Sequence, residues 1–413
     1  RRTLLLAAVA LAAALLAGAL APGRDRAALG VVVLVAVGAA GALLTAQVRA
    51  RRVVARALLC AGALDVALLA TFFFSATTDV ALATGAAMAI CLLGLSFLTG
   101  VSGQISLGHA ALMGVGALVA AIWANHHATT PIVVNLLICL VAGALVGLAL
   151  GLPATRLRGP YLAGMTLAFS VAFGPIVNSF TSWTGGDAGL QLPHPANPPT
   201  WLTHLYARGT ALFTTNTAWV TDLILVVAAV AFFFMSNLFD SRTGRAMRLV
   251  RDNDVAAELV GVSLPRTRVV AFVVSSAYAA LGGACWTLLN NAVTPPAYSF
   301  ALSITILSLV VIGGIGTISG ALVGGVVYAY STSVISWFVN HTGLNPQGNL
   351  ASQLNGIVFG VLLIGAMLFA PRGLVGSLRV ALARRVAQRS PAPGPTLGAR
   401  GPGIPVSNQG EGS

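Results

Sequence analysis

Residues 241–268, SRTGRAMRLVRDNDVAAELVGVSLPRTR, form the one strongly polar island in an otherwise almost continuously apolar chain, and they hold six arginines, two aspartates and a glutamate. Runs of roughly 20 residues, 219–238 and 269–290, flank the island, and each is long enough to cross a bilayer as a helix. With 57% hydrophobic and 8% charged residues over 413 positions, the composition excludes an ordinary soluble enzyme. The expected fold is therefore all-α, a polytopic bundle of transmembrane helices.

Apolar runs bounded by polar or Pro/Gly breaks predict about twelve (10–12) spans. They fall near 3–21, 28–46, 57–74, 80–99, 106–123, 132–152, 161–180, 219–238, 269–290, 300–318, 320–339 and 353–370. All 23 basic residues are arginine. If both termini face the cytoplasm, 20 of those arginines lie on the inner side and only Arg24, Arg26 and Arg208 outside, the asymmetry that sets membrane orientation. The net charge of +13 is thus explained by topology, and no nucleic-acid partner is expected. The N-terminal RRTLLLAAVALAAALLAGALA has signal-peptide features, but its long apolar run favours an uncleaved first helix.

Because lysine is absent, the chain has neither a phosphate-loop nucleotide site nor a Schiff-base nucleophile. Cys60, Cys91, Cys139 and Cys285 all lie inside apolar runs without close spacing, so they predict packing rather than a disulfide framework or zinc site. His126, His127, His194, His204 and His341 fall in outward loops without a metal-binding pattern.

Polar groups at membrane depth are costly, so each one is a candidate for the solute path. The richest set is TGVSGQISLGH, 99–109, a glycine-rich break that interrupts helix where backbone lines a cavity or is buried in protein. Gln104, Ser106 and His109 from this segment, with Thr166 and Asn178, are the expected translocation-path residues. Asp65 is the one clear carboxylate within a span, and no partner group for it is visible in the sequence. Two further clusters, Asn178 to Gly186 and Asn290–Asn291, suit either a polar solute or helix capping. Glycines at four-residue spacing, Gly143/Gly147/Gly151, Gly316/Gly320/Gly324 and Gly356/Gly360, predict close helix contacts.

Within the island, a short helix is expected from Asp254 to Gly261, capped by Asp252 or Asp254 and stopped by Gly261 and Pro265. Such a helix at a membrane surface suits docking into a partner's groove. Leu374, Leu378 and Leu382 predict an interfacial amphipathic helix over 371–390, and the Pro/Gly/Ser-rich 391–413 a disordered cytoplasmic tail.

Five stretches resemble, in order, the branched-chain amino acid ABC-importer permease family. They are SGQISLGHAALMGVGA at 102–117, LRGPYLAGMTLAF at 157–169, TGGDAGL at 184–190, the island with its RDNDVAAELVGV core, and VVIGGIGTISGALVGG at 310–325. The resemblance covers roughly 80–370 and leaves 1–79 as extra N-terminal spans. It implies an ABC-importer permease fold in a bacterial inner membrane, with the island as the coupling loop that meets an ATPase subunit. Arg251, Asp254, Ala256, Ala257, Glu258 and Gly261 would carry that coupling. Asp254 and Glu258 surround the alanines where the general importer pattern has an acid just before them. The implied partners are a second related permease, two ATPase subunits that bind the ATP, and an external solute-binding protein. No cofactor or metal of its own is implied. Related permeases that carry urea or short amides, and a self-contained secondary transporter, are the alternatives.

Overall fold

The computed structural model describes residues 76–127, 130–157, 159–192 and 216–342, together with isolated positions nearer the two ends. Helix α1 (Ala76–Ser96) runs into a π-helical turn, Phe97–Val101, and the chain is then non-helical until α2 (His109–His126). Helices α3 (Ile132–Ala154) and α4 (Pro160–Ser179) follow, then the single turn α5 (Thr181–Thr184) and strand β1 (Leu190–Gln191). Next come α6 (Asn216–Asp240), the island helices α7 (Arg242–Asp252) and α8 (Asp254–Leu259), and α9 (Leu264–Asn290). Strand β2 (Ala292–Val293), α10 (Phe300–Gly313) and α11 (Ile318–Thr342) complete the described fold.

Helix α9 is the central post, against which α1, α2 and α3 all pack. Its sequence explains why. Ala277, Ala279, Ala280, Gly282, Gly283 and Ala284 give a surface thin enough for three neighbours to approach the backbone. Helix α3 answers with Gly143 and Gly147. A Cβ on Gly147 would lie 2.6 Å from that of Ser276, and one on Gly143 would collide with Ala280, so the small-residue stripe predicted from spacing is a real helix contact. The opposite stripe of α3, Leu137, Val141, Leu145, Leu148 and Leu152, is exposed, as a lipid-facing surface requires. Of the other spaced glycines, Gly324 packs on Leu92 and the Leu309 carbonyl, whereas Gly360 meets no neighbour.

Among the described residues, six helices are long and apolar enough to cross a membrane. They match the expected spans from 80 to 290 within a few residues. The span expected over 300–318 divides differently. Helix α10 ends at Gly313, because Gly314 and Gly316 take positive φ of 118° and 73°. Its 14 residues rise only about 21 Å. The expected spans 3–21 and 28–46, Asp65 and the 391–413 tail lie outside the described residues, as do most of 57–74, 353–370 and the 371–390 helix.

The island is more ordered than its sequence reading allowed. It contains two helices, and α7 precedes the expected one. Ser241 caps α7 by accepting the Gly244 N–H at 3.1 Å. The cap of α8 is Asn253 rather than Asp252 or Asp254; its side chain accepts the Ala256 N–H at 3.0 Å. Helix α8 stops at Leu259, with Gly261 at φ 82°, and Pro265 opens α9 in its first turn, where a missing N–H costs nothing.

On the far side of the bundle, β1 and β2 pair antiparallel, Leu190 with Val293 and Gln191 with Ala292. They tie the end of α4 to the end of α9.

Candidate functional site

At the island end the polar side chains of the 102–108 break turn into protein, while Gly103 and Ile105 stay exposed. Ser102, Gln104 and Ser106 are buried, as is His109, the first residue of α2. Gly108, the N-cap residue of α2, has no side chain to cap the helix, so other elements satisfy the incoming backbone N–H groups. The Leu107 N–H donates to Thr166 Oγ1 on α4 at 2.9 Å, and the Ala110 N–H to Ser303 Oγ on α10 at 3.1 Å. Ser303 also lies 3.3 Å from Ser170 Oγ. The break is thus laced to two other helices through side-chain oxygens.

His109 adds a fourth element. Ser275 Oγ on α9 donates to the Gly94 carbonyl at 2.8 Å, so it can accept from His109 Nε2–H, 3.4 Å away. That tautomer leaves Nδ1 as an acceptor without a protein partner. Gln104 is in the same position. Its Nε2 reaches Ser102 Oγ at 2.5 Å and the Arg268 carbonyl at 3.5 Å, while its Oε1 is buried and unpartnered.

The island is fastened directly to this break. The Arg251 guanidinium at the end of α7 donates to the Gly100 carbonyl in the π-turn and to Asp252, and its stem lies on Gly103. Gly103 has φ 73°, and a Cβ there would come within 2.5 Å of Arg251 Cγ, so glycine is required on both counts. Arg268 at the start of α9 pairs with Asp254 of α8 at 2.7 Å. Between break and island remains a cavity of about 380 Å³. A larger recess of about 730 Å³ lies between α1, α6 and α11; Ala, Leu and Phe side chains dominate its lining, and Arg56 and Asp240 pair at its edge.

Of the expected path residues, the fold therefore brings Gln104, Ser106, His109 and Thr166 together. Asn178 stands apart. It is exposed at the other end of α4 and donates to Asp187 at 2.8 Å. Its neighbours there satisfy turns: Thr184 Oγ1 donates to the Val177 and Phe180 carbonyls, and Asn291 ends α9 with φ 51°. Among the expected coupling residues, Ala257 is fully buried, packed with Val250 and Leu264, while Glu258 and Gly261 are exposed. Val255, Leu259 and Val260 also face outward, at 68%, 83% and 67% exposure.

Sequence reasoning missed Ser170, Ser275, Ser303, Asn253 and Arg268. A census of hydroxyls inside apolar helices would have found the three serines, since each is buried at a span centre or end. Among the described residues, no group of three or more His, Cys, Asp or Glu is placed to hold a metal ion.

Comparison with known proteins agrees with this architecture. Over 299 residues the chain is 27% identical to the high-affinity branched-chain amino acid transport system permease protein LivM of Escherichia coli, covering 70% of this chain and 67% of that protein. It is 26% identical over 216 residues to LivH of Salmonella typhimurium, covering 51% and 64%. A probable LivH of Methanocaldococcus jannaschii shares 26% over 160 residues, covering 38% and 47%. No solved structure matches the chain. The family described as "Branched-chain amino acid transport system / permease component" matches residues 77–367, more than half of the chain, which therefore belongs to this family of membrane transport permeases.

Proposed function

We propose that the chain is the transmembrane permease subunit of an ATP-binding-cassette importer, carrying branched-chain amino acids across a bacterial inner membrane. ATP is bound and hydrolysed by two separate subunits that dock on the island from the cytoplasm. An external binding protein delivers the solute, and a second, related permease completes the path. The similarity to proteins named both LivM and LivH supports that pairing.

The observation that carries the reading is the bare apolar surface of α8 and its C-cap residue, Val255, Leu259 and Val260, on a loop otherwise full of arginine. Large apolar side chains this exposed on a polar surface mark a protein contact. Here the contact is anchored, because Arg251 ties α7 to the π-turn and Arg268 ties α8 to α9. Force applied to the island therefore reaches the break through hydrogen bonds. The four gathered residues, Gln104, Ser106, His109 and Thr166, then solvate a zwitterion with neutral dipoles, which suits passage better than tight holding.

The test is copurification and uptake. Leu259→Asp and Val255→Asp should each reduce recovery of the ATPase subunits at least about tenfold, the effect of truncating an interface hot spot. Leucine uptake should fall with it while membrane insertion is unchanged. A cysteine at position 255 should react with an impermeant thiol reagent only after the membrane is opened. Normal subunit recovery with normal uptake in both variants would overturn the docking role.

A further inference from the structure

The cavity between the break and the island has two unlike walls. Ile105, Leu157, Leu162 and Val250 supply an apolar wall. The cavity is also lined by Arg251, Asp252, Asn253, Asp254 and Arg268, whose four charges cancel and pair, Arg251 with Asp252 and Arg268 with Asp254. Gln104 also lines the cavity, and its Oε1 is buried with no donor. An acceptor buried without a partner is rare, and on the wall of a cavity a turn of the amide would bring it to a donor supplied by a ligand.

Charge selects the class of ligand. A phosphate or other anion meets Asp252 and Asp254 as well as the arginines, and a metal cation meets Arg251 and Arg268. A molecule carrying one charge of each sign on adjacent atoms suits both pairs. Its ammonium donates to an aspartate and, once the amide turns, to Gln104 Oε1, its carboxylate accepts from an arginine, and an aliphatic side chain covers the apolar wall. At about 380 Å³ the cavity stands near the lower end of the roughly 300–1,000 Å³ range of ligand pockets, which fits a small solute.

We propose that this cavity is a second amino-acid site on the island side of the break, filled by aliphatic amino acid from the compartment that receives the solute. The proposal rests on the functional reading above. Occupied, the site holds the break, α7, α8 and the start of α9 in their present arrangement, so accumulated product opposes the island's movement. The permease then slows as its product builds up.

The experiment uses the complete importer, copurified with its partner subunits and reconstituted in vesicles, with binding protein and leucine on the delivery side. Leucine is loaded at about 10 mM on the ATPase side. A site of millimolar affinity predicts roughly tenfold slower uptake, the factor 1 + [L]/Kd. Isocaproate, which lacks the ammonium, and isoamylamine, which lacks the carboxylate, should leave the rate unchanged. Ile105→Trp and, separately, Leu157→Trp, which fill the cavity from its apolar wall, should remove the inhibition while uptake into empty vesicles persists. Uptake indifferent to loaded leucine overturns the proposal, as does equal inhibition by all three compounds. Inhibition that persists in tryptophan variants with normal uptake also overturns it. If the importer moves no leucine into empty vesicles, the functional reading fails first, and this inference fails with it.

Discussion

The two ends of helix α4 carry polar residues of the same kinds in opposite circumstances. Near one end, Thr166 is buried and accepts from a backbone N–H 59 positions away in sequence. Near the other, Asn178 is exposed and bonds to Asp187, nine positions on. The contrast extends to their surroundings. Around the break, side chains join segments up to 193 positions apart, and Gln104 Oε1 and His109 Nδ1 stay unsatisfied. At the β1–β2 end, the side-chain bonds of Asn178, Ser179 and Thr184 are short in sequence and close turns, while longer reach comes from the β1–β2 pairing and from Asn125, which donates to the Gln191 carbonyl. Polar groups that satisfy themselves locally build structure. Those that reach across the fold and still leave acceptors unmet form the site.

The comparison breaks first at Arg251, where the largest effect is expected. Arg251→Met keeps the aliphatic stem on Gly103 but removes the donors to the Gly100 carbonyl and Asp252. A hydrogen bond from a charged group contributes about 1.5–3 kcal/mol, so uptake should fall roughly 10- to 100-fold if the tie transmits the island's movement. ATPase subunits should still copurify, because the α8 face is untouched. Uptake within about twofold of wild type would show that the tie is passive.

Next comes Thr166→Val, nearly equal in volume but without the oxygen that accepts the Leu107 N–H. An orphaned buried donor costs about 1–3 kcal/mol. Thermal stability in detergent should fall accordingly, and Ser303→Ala, which orphans the Ala110 N–H, should do the same. Since both residues hold the same break, their effects should be non-additive in a double-mutant cycle. Strict additivity would mean that the break is not one cooperative unit.

The span pattern was legible because lipid imposes it: runs of apolar residues marked the six described helices that are long and apolar enough to cross a membrane, and the glycine stripe of α3 marked its contact with α9. The break at 99–109 was legible for the same reason, since nothing else concentrates Gly, Ser and Gln at that depth. What the sequence could not show was pairing. Thr166 and Asn178 are both neutral polar residues along α4, and only the packing of α4 on α2 and α10 decides that the first meets the break and the second does not. The island hid its first helix because arginines at 242, 245, 248 and 251 repeat every three residues and read as a charged loop. Their spacing instead puts Met247 and Val250 on a buried face. Asn253 was overlooked as a cap because two aspartates, equally good caps by type, stand on either side of it.

That last point gives a smaller effect. Asn253→Ala removes the acceptor of the Ala256 N–H, and loss of such a cap typically costs about 1 kcal/mol. Helix α8 should fray, and hydrogen exchange at Ala256 and Ala257 should quicken while α9 stays protected. Asn253→Asp should restore the protection. If Asn253→Ala leaves exchange unchanged, contact of Ala257 with Val250 and Leu264 alone holds the helix.

The smallest effect belongs to the far end of α4. Asn178→Ala deletes one exposed hydrogen bond, to Asp187, and exposed substitutions of this kind usually lie within about 0.5 kcal/mol. The segment has other ties: Thr184 bonds to the end of α4, and β1 pairs with β2. Stability should therefore barely move, and leucine uptake should stay within about twofold of wild type, since the side chain is remote from the break. This is the sharpest check on the comparison, because Asn178 is a neutral polar residue of α4 like Thr166, and the fold puts the two at opposite ends. A tenfold loss of uptake with unchanged stability would return Asn178 to the path, and sequence-local satisfaction would no longer separate the two ends.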